Sequence, residues 1–231
     1  MVERGGRQRI PRPPSARPGG PAPWHGTSAA ARRFDLASVR AVVDAIDAPT
    51  TTVMENPAET LHPGARAAAV LLALFDRDGE AHVVLTKRPD TMPSHQGEIA
   101  FPGGKFDPEV DTSLVATALR EAHEEVALAP DAVEVVGVLT PLQTVASSFV
   151  ITPVVGCLDR VPTLVAHERE VVSVFDVAIG ELLDPATHRR EVWPLTRGEI
   201  TVDFYELPGE TVWGATARML TDLLTRLVTA D

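Results

Sequence analysis

Residues 101–128 read FPGGKFDPEVDTSLVATALREAHEEVAL, and the rest of the chain is arranged around this stretch. The Gly103-Gly104 pair belongs to neither a helix interior nor a regular strand, and it lets a backbone or a ligand approach closely. An acidic loop containing Pro108 follows, then a helix carrying Arg120, Glu121, Glu124 and Glu125. At about 100° per residue, the three glutamates share one stripe of that helix. Val115, Ala118, Leu119, Ala122 and Val126 form an apolar stripe beside it. Like charges three and four apart destabilise a helix by roughly 0.2–0.5 kcal/mol per pair, and no lysine lies in this helix to offset them. A solvated acidic face is the plain alternative. A hard divalent cation such as Mg²⁺ would remove the repulsion and use the carboxylate oxygens as ligands.

The bulk composition narrows the classes. The chain has 231 residues, 44% of them hydrophobic and 23% charged, enough for one compact domain of about 190 residues plus a tail, or two small domains. The single cysteine, Cys157, excludes an intramolecular disulfide and any multi-cysteine zinc or iron–sulfur site. A reducing compartment, and so a cytoplasmic location, is the expectation. No apolar run approaches the roughly 18–20 residues that span a bilayer, so no membrane partner is expected. The formal charge is −11, unevenly spread: seven arginines against Glu3 give residues 1–33 a charge of +6, leaving −17 on the remainder. So acidic a surface disfavours a nucleic-acid backbone as partner of the folded part. An anionic small substrate would need local cations or a metal.

Residues 1–33, with six prolines among Gly, Ser and Ala, read as a disordered Arg/Pro-rich tail, and residues 34–231 as the folded domain. Leu36, Val39, Val42, Val43 and Ile46 recur at helical spacing between Phe34 and Ala48; residues 50–65 read as a loop. Ala67 to Phe75 and His82 to Thr86, separated by Asp76-Arg77-Asp78-Gly79, predict a hairpin. Short strands are predicted around Glu98 to Phe101, Val133 to Leu139 and Glu170 to Val177, with a helix over Ile179 to Leu183 and a strand over Val202 to Glu206. Phe149 to Leu158 reads as a strand that Pro153 assigns to a sheet edge. The last core helix spans Thr216 to Val228. Strands and helices mix without a regular βαβ repeat, which implies an α+β fold, a layered α/β/α sandwich with a mixed sheet between helices.

The central stretch resembles the box of the Nudix hydrolases. Gly104 opens it and Arg120-Glu121-Ala122-His123-Glu124-Glu125-Val126-Ala127-Leu128 closes it. The loop between is two residues longer than the general box, which leaves its intermediate acid open among Asp107, Glu109 and Asp111. The Gly that usually follows the helix is Ala127, which puts the left-handed cap in question. A narrower resemblance is to the coenzyme A pyrophosphatase branch, through Leu85-Thr86-Lys87-Arg88, Gly97, Phe101-Pro102-Gly103-Gly104 and Asp107-Pro108. Val84, Pro89 and Pro93 depart from that branch, the last standing where an Arg is usual. The broad resemblance covers about residues 65–228.

The resemblance implies a Nudix fold and metal-dependent hydrolysis of a nucleoside diphosphate linked to another group. It makes Glu121, Glu124 and Glu125 ligands for Mg²⁺ or Mn²⁺, with Glu121 or Glu124 doubling as base and a backbone carbonyl at Gly103 or Gly104 completing the shell. Arg120 would orient these carboxylates, or simply pair with one of them. Arg88 is the candidate for substrate phosphate, since guanidinium binds phosphate in a bidentate manner; a surface ion pair is the competing role. His95 and Glu98 are further candidates on the substrate side, against a loop histidine and an exposed strand carboxylate. Trp213 is read as core packing and Cys157 as a buried apolar residue. The expected substrate is coenzyme A or an acyl derivative; the alternatives are another dinucleotide such as ADP-ribose or NADH, or a non-catalytic nucleotide-binding sensor. A homodimer is compatible with the sequence, which does not fix the assembly.

Overall fold

The structure is a computed structural model that describes residues 4–27, 33–45, 64–92, 95–144, 148–196 and 198–230. Among the described residues it holds two sheets, four α-helices and a short 3-10 helix (Pro130–Ala132). A short strand β1 (Arg17–Pro18) precedes helix α1 (Leu36–Asp44), whose Asp35 N-cap accepts from the Ser38 backbone N–H at 2.8 Å. The predicted hairpin is β2 (Arg66–Arg77) and β3 (Glu80–Lys87). Its two-residue turn puts Asp78 at φ 55° and Gly79 at φ 77°, left-handed values that match the twist of the flanking strands.

Next come β4 (Ile99–Ala100), β5 (Gly103–Lys105) and helix α2 (Leu114–Val126). Strands β6 (Glu134–Val138), β7 (Leu142–Gln143), β8 (Phe149–Leu158) and β9 (Ser173–Ala178) complete the first sheet. Helix α3 (Ile179–Leu183) leads to β10 (His188–Leu195), β11 (Gly198–Leu207), β12 (Glu210–Val212) and the final helix α4 (Gly214–Thr229).

The first sheet runs β4-β3-β2-β8-β6, with β5 also on β2, β7 on β8 and β9 on β3. It is mixed, because β2 and β8 are parallel while their other pairings are antiparallel. Alternation along β2 separates two cores: Leu72 and Leu74 pack with α1 and α4, whereas Leu71, Ala73 and Phe75 pack with Leu114, Ala118, Ala122 and Val126 of α2. The α/β/α sandwich is therefore present.

Strand β8 is central, not an edge as Pro153 suggested. The Pro153 carbonyl accepts from Leu139 N–H at 2.9 Å, so its nitrogen faces the same side. On that side β6 pairing ends at Val138↔Val154 and β7 pairing begins at Leu142↔Ile151. The missing N–H falls in the gap between two short partners, where no ladder bond is lost.

The largest departure from the sequence reading is the N-terminal segment. Residues 4–27 are not a disordered tail but a strap on the second sheet, whose order is β1-β10-β11-β12. Arg4 bonds Thr187 at 2.6 Å, Gly6 N–H bonds Thr211 Oγ1 at 2.8 Å, and Arg12 meets the buried Glu191 at 2.7 Å. Trp24 is 2% exposed, with its indole N–H on the Leu183 carbonyl at 3.3 Å and its ring 5.0 Å from His188. Prolines disfavour helix, but they do not prevent an extended chain from pairing side chain by side chain. Residues 28–32 and 46–63, which include most of the predicted loop, lie outside the described residues.

Candidate active site

Strand β5 brings Gly103 and Gly104 against β2 in register Val70↔Gly103 and Ala69↔Gly104. Both glycines are required by close approach. A Cβ on Gly103 would stand 2.6 Å from Val70 Cα, and one on Gly104 would occupy the place of the Glu121 carboxylate. The Gly103 N–H donates to Glu125 Oε2 at 3.2 Å. The glycine pair and the helix acids are thus one structure, joined across residues that are about one helix apart in sequence.

The three glutamates of α2 differ in environment. Glu125 is 4% exposed, and burial raises its carboxyl to about 7 against the Gly103 hydrogen bond. Glu121 is also raised by burial, opposed by Arg120, and Glu124 is half exposed on the rim. The buried residues of the helix are Leu114, Thr117, Ala118, Ala122, Glu125 and Val126; of the predicted apolar stripe Ala118, Ala122 and Val126 are buried, while Val115 and Leu119 are partly buried at its edge. The helix begins at Ser113, which accepts from Ala116 N–H at 3.1 Å, and ends with Ala127 at φ 57°. The left-handed cap therefore forms without glycine.

Arg120 connects the acids. Its Nε and Nη2 make a fork on Asp111, 2.8 and 2.9 Å, while Nη1 reaches Glu121 at 2.8 Å and Glu124 at 2.9 Å. Asp111 is buried and also accepts from Thr117 Oγ1 at 2.9 Å and Asp107 N–H at 3.0 Å. Arg120 holds its carboxyl below the usual carboxylate range. Asp107 and Glu109 are exposed. Of the three acids in the long loop, Asp111 is the one turned inward, and Arg120 pairs with it and with Glu121 as well as with its i,i+4 partner Glu124.

The segment before the glycines converges on the same place. Pairing of Lys87 with Ile99 sets Arg88 opposite Glu98, whose carbonyl accepts the Arg88 N–H at 3.0 Å. Arg88 is close enough for its charge to act on both Glu125 and His95. Its Nε is buried and has no partner among the described residues. His95, at φ 58°, bonds Glu98 at 2.8 Å, and that carboxylate raises its pKa. Glu98 is thus engaged by His95 and shows no bond to the helix acids. Position 93, where the Arg of the branch is replaced by Pro93, lies outside the described residues.

One residue escaped the sequence reading. Glu170 raises both Glu121 and Glu125 through its charge. Its loop is fastened to the end of α2 by His167 N–H on the Glu125 carbonyl at 2.9 Å, and to β3 by Val172 N–H on Lys87 at 2.8 Å. Nothing local in HEREV signals this, because only the β8–β9 crossover brings it there.

Among the described residues, no three His, Cys, Asp or Glu side chains are gathered as a metal cage; Glu121 and Glu124 are ion-paired to Arg120 instead. The donors nevertheless suit a divalent cation. Two carboxylates already share one cationic nitrogen, Arg120 Nη1, at 2.8 and 2.9 Å. A third is buried with no full counter-charge, and the absent Cβ of Gly104 is the cradle that admits Glu121. Oxygen donors of this kind suit Mg²⁺ or Mn²⁺.

These features agree with the relatives. The NUDIX domain family matches residues 65–197. A protein of Enterobacter sp. (strain 638), called an uncharacterised Nudix hydrolase NudL, is 39% identical over 168 residues, covering 68% of this chain and 81% of that protein. Its counterpart in Yersinia enterocolitica is 40% identical over 158 residues, 66% of this chain and 77% of that one. Among solved structures, a MutT/nudix family protein from Enterococcus faecalis has a TM-score of 0.50 at 15% identity, covering 73% of this chain and 64% of that chain; this likeness shows the fold alone. The chain belongs to the Nudix hydrolases. It is a hydrolytic enzyme, of a family that works with divalent metal ions. Among the described residues no helix is long and apolar enough to cross a membrane.

Proposed function

We propose that this enzyme cleaves the diphosphate of coenzyme A or acyl-coenzyme A, giving adenosine 3′,5′-bisphosphate and 4′-phosphopantetheine or its acyl form. The observation that carries this reading is the placement of the Leu85–Gly104 segment. Arg88 of this segment acts by its charge on Glu125, which accepts from Gly103 N–H, and it is tied through its own N–H to Glu98, the partner of His95; this supports reading the part that resembles the coenzyme A branch as a neighbour of the carboxylates that resemble the family box.

Water attacks one phosphorus of the diphosphate; a new P–O bond forms, the bridging P–O bond breaks, and the leaving phosphate takes up the proton balance. A bound Mg²⁺ or Mn²⁺ supplies charge neutralisation on the phosphates and acidifies water. Glu121, Glu124 and Glu125, with a backbone carbonyl of Gly103 or Gly104, are its proposed ligands. Glu121 or Glu124 accepts the proton of the attacking water; Arg120 fixes their orientation from Asp111. Arg88, whose buried Nε has no partner among the described residues, takes a substrate phosphate.

The test is hydrolysis of a panel of coenzyme A, ADP-ribose, NADH and diadenosine polyphosphates with Mg²⁺ or Mn²⁺, with products resolved by mass. Coenzyme A is expected to be cleaved; cleavage of ADP-ribose without coenzyme A would sink the substrate assignment. Glu125→Gln is expected to abolish turnover and keep the fold, since Gln still accepts from Gly103 and removes a buried charge.

A further inference from the structure

We infer that Arg7 and Arg9 of the N-terminal strap form a binding site for a phosphomonoester dianion of the substrate, apart from the diphosphate that is cleaved. The inference deepens the coenzyme A reading and rests on it, because that substrate carries such a group on its ribose.

The geometry comes from Gln8. Its amide is locked on β12, with Nε2 on the Thr211 carbonyl at 3.0 Å and on Glu210 Oε2 at 3.1 Å, and Oε1 accepting from Thr211 N–H at 3.3 Å. The other oxygen of Glu210 holds Lys87 Nζ at 2.5 Å, so the strap is tied to the residue preceding Arg88. On the far side, Gln8 Cγ lies 3.9 Å from the place a Cβ on Gly97 would take. The strap therefore borders the loop that carries Arg88, His95 and Glu98. Arg7 and Arg9 are the chain neighbours of this anchor, and both are exposed.

Charge pairing separates these two arginines from the rest. Arg4, Arg12 and Arg17 of the strap are paired with Glu181, Glu191 and Glu199. Lys87 is taken by Glu210 and His95 by Glu98, while Arg88 acts on Glu125. Arg7 and Arg9 are exposed and, among the described residues, have neither a hydrogen-bond nor an ion-pair partner. Residues 34–231 carry a formal −17, and Arg7 and Arg9 are the unpaired guanidinium groups of a strap that reaches the substrate loop through Gln8 at Gly97. Paired forks of this kind suit a phosphate dianion.

The test uses the full chain and two ligands that differ only in the 3′-phosphate: adenosine 3′,5′-bisphosphate and adenosine 5′-monophosphate, titrated calorimetrically. The wild type is expected to prefer the bisphosphate by about tenfold or more. The double variant Arg7→Ala, Arg9→Ala is expected to lose that preference, and Arg7→Lys, Arg9→Lys to keep most of it. In turnover, the ratio of kcat/KM for coenzyme A over dephospho-coenzyme A should fall in the alanine variant by a similar factor. A misfolded fraction would lower both substrates alike and leave the ratio unchanged. No preference in the wild type, or the same preference in the alanine variant, overturns the inference. Loss of the binding preference in an enzyme that does not cleave coenzyme A would uphold the phosphate site and refute the substrate reading alone.

Discussion

Asp111 and Gly104 carry the site's finest tolerances. Asp111 forms both hydrogen bonds of the Arg120 fork, and that fork fixes the arginine from which Glu121 and Glu124 are oriented. Asp111→Asn should cost about 2 kcal/mol of stability, as expected for hydrogen bonds between charged groups, measured by urea denaturation. The same residue gives a pH signature. Its folded-state pKa lies below the ordinary carboxylate value because of Arg120, so its contribution is present above pH of about 4 and is lost as pH falls through the lower folded value. Acid unfolding below about pH 4 should therefore be shallower in Asp111→Asn than in the wild type. Gly104→Ala drives a methyl into the place of the Glu121 carboxylate; turnover should fall by about two orders of magnitude, as for a displaced catalytic group, with secondary structure unchanged by circular dichroism. Activity retained in that variant would remove Glu121 from the proposed metal ligands.

Helix α2 is held in place by its ends as much as by its buried side. Ser113 closes the first turn, and Ala127 closes the last in a left-handed conformation that costs an L-residue about 1 kcal/mol. Ala127→Gly should therefore raise stability by up to about 1 kcal/mol, seen as a higher midpoint in thermal unfolding; the gain is bounded by the greater freedom of glycine in the unfolded chain. Glu125 on the same helix works the other way, an acid kept in a buried place next to Gly103. Strand β8 illustrates how a local rule yields to context. Pro153 is forbidden where a ladder bond is needed, and the break between β6 and β7 means that none is needed there.

The whole molecule is more than the segment that the family covers. The strap of residues 4–27 closes the second sheet, and Trp24 fills a pocket against His188 and the Leu183 carbonyl. Trp24→Ala should destabilise the protein by about 3–5 kcal/mol, the range for removing a buried aromatic residue. A detached tail would give no change, so differential scanning calorimetry separates the two pictures. The strap also runs from the second sheet to the turn at Gly97. The second sheet, Lys87 of β3 and the turn at Gly97 are thus connected through Gln8 and Glu210.

The sequence alone determined the fold class, most of the first sheet and both long core helices, because hydrophobic alternation and helical spacing are local patterns that burial enforces. It also located the glycine pair and the carboxylate stripe within residues 101–128, since glycines and carboxylates at fixed helical offsets can be read without knowing their neighbours. Tertiary structure decided the rest. It chose Asp111 among three loop acids, because burial beside Thr117 and Arg120 depends on how the loop folds back over the helix. It brought in Glu170 from a crossover far along the chain, and it made a strap of residues whose composition resembles disorder. Those outcomes depend on contacts between residues distant in sequence, such as Arg12 with Glu191 across the second sheet, and no local pattern records the position of a distant partner.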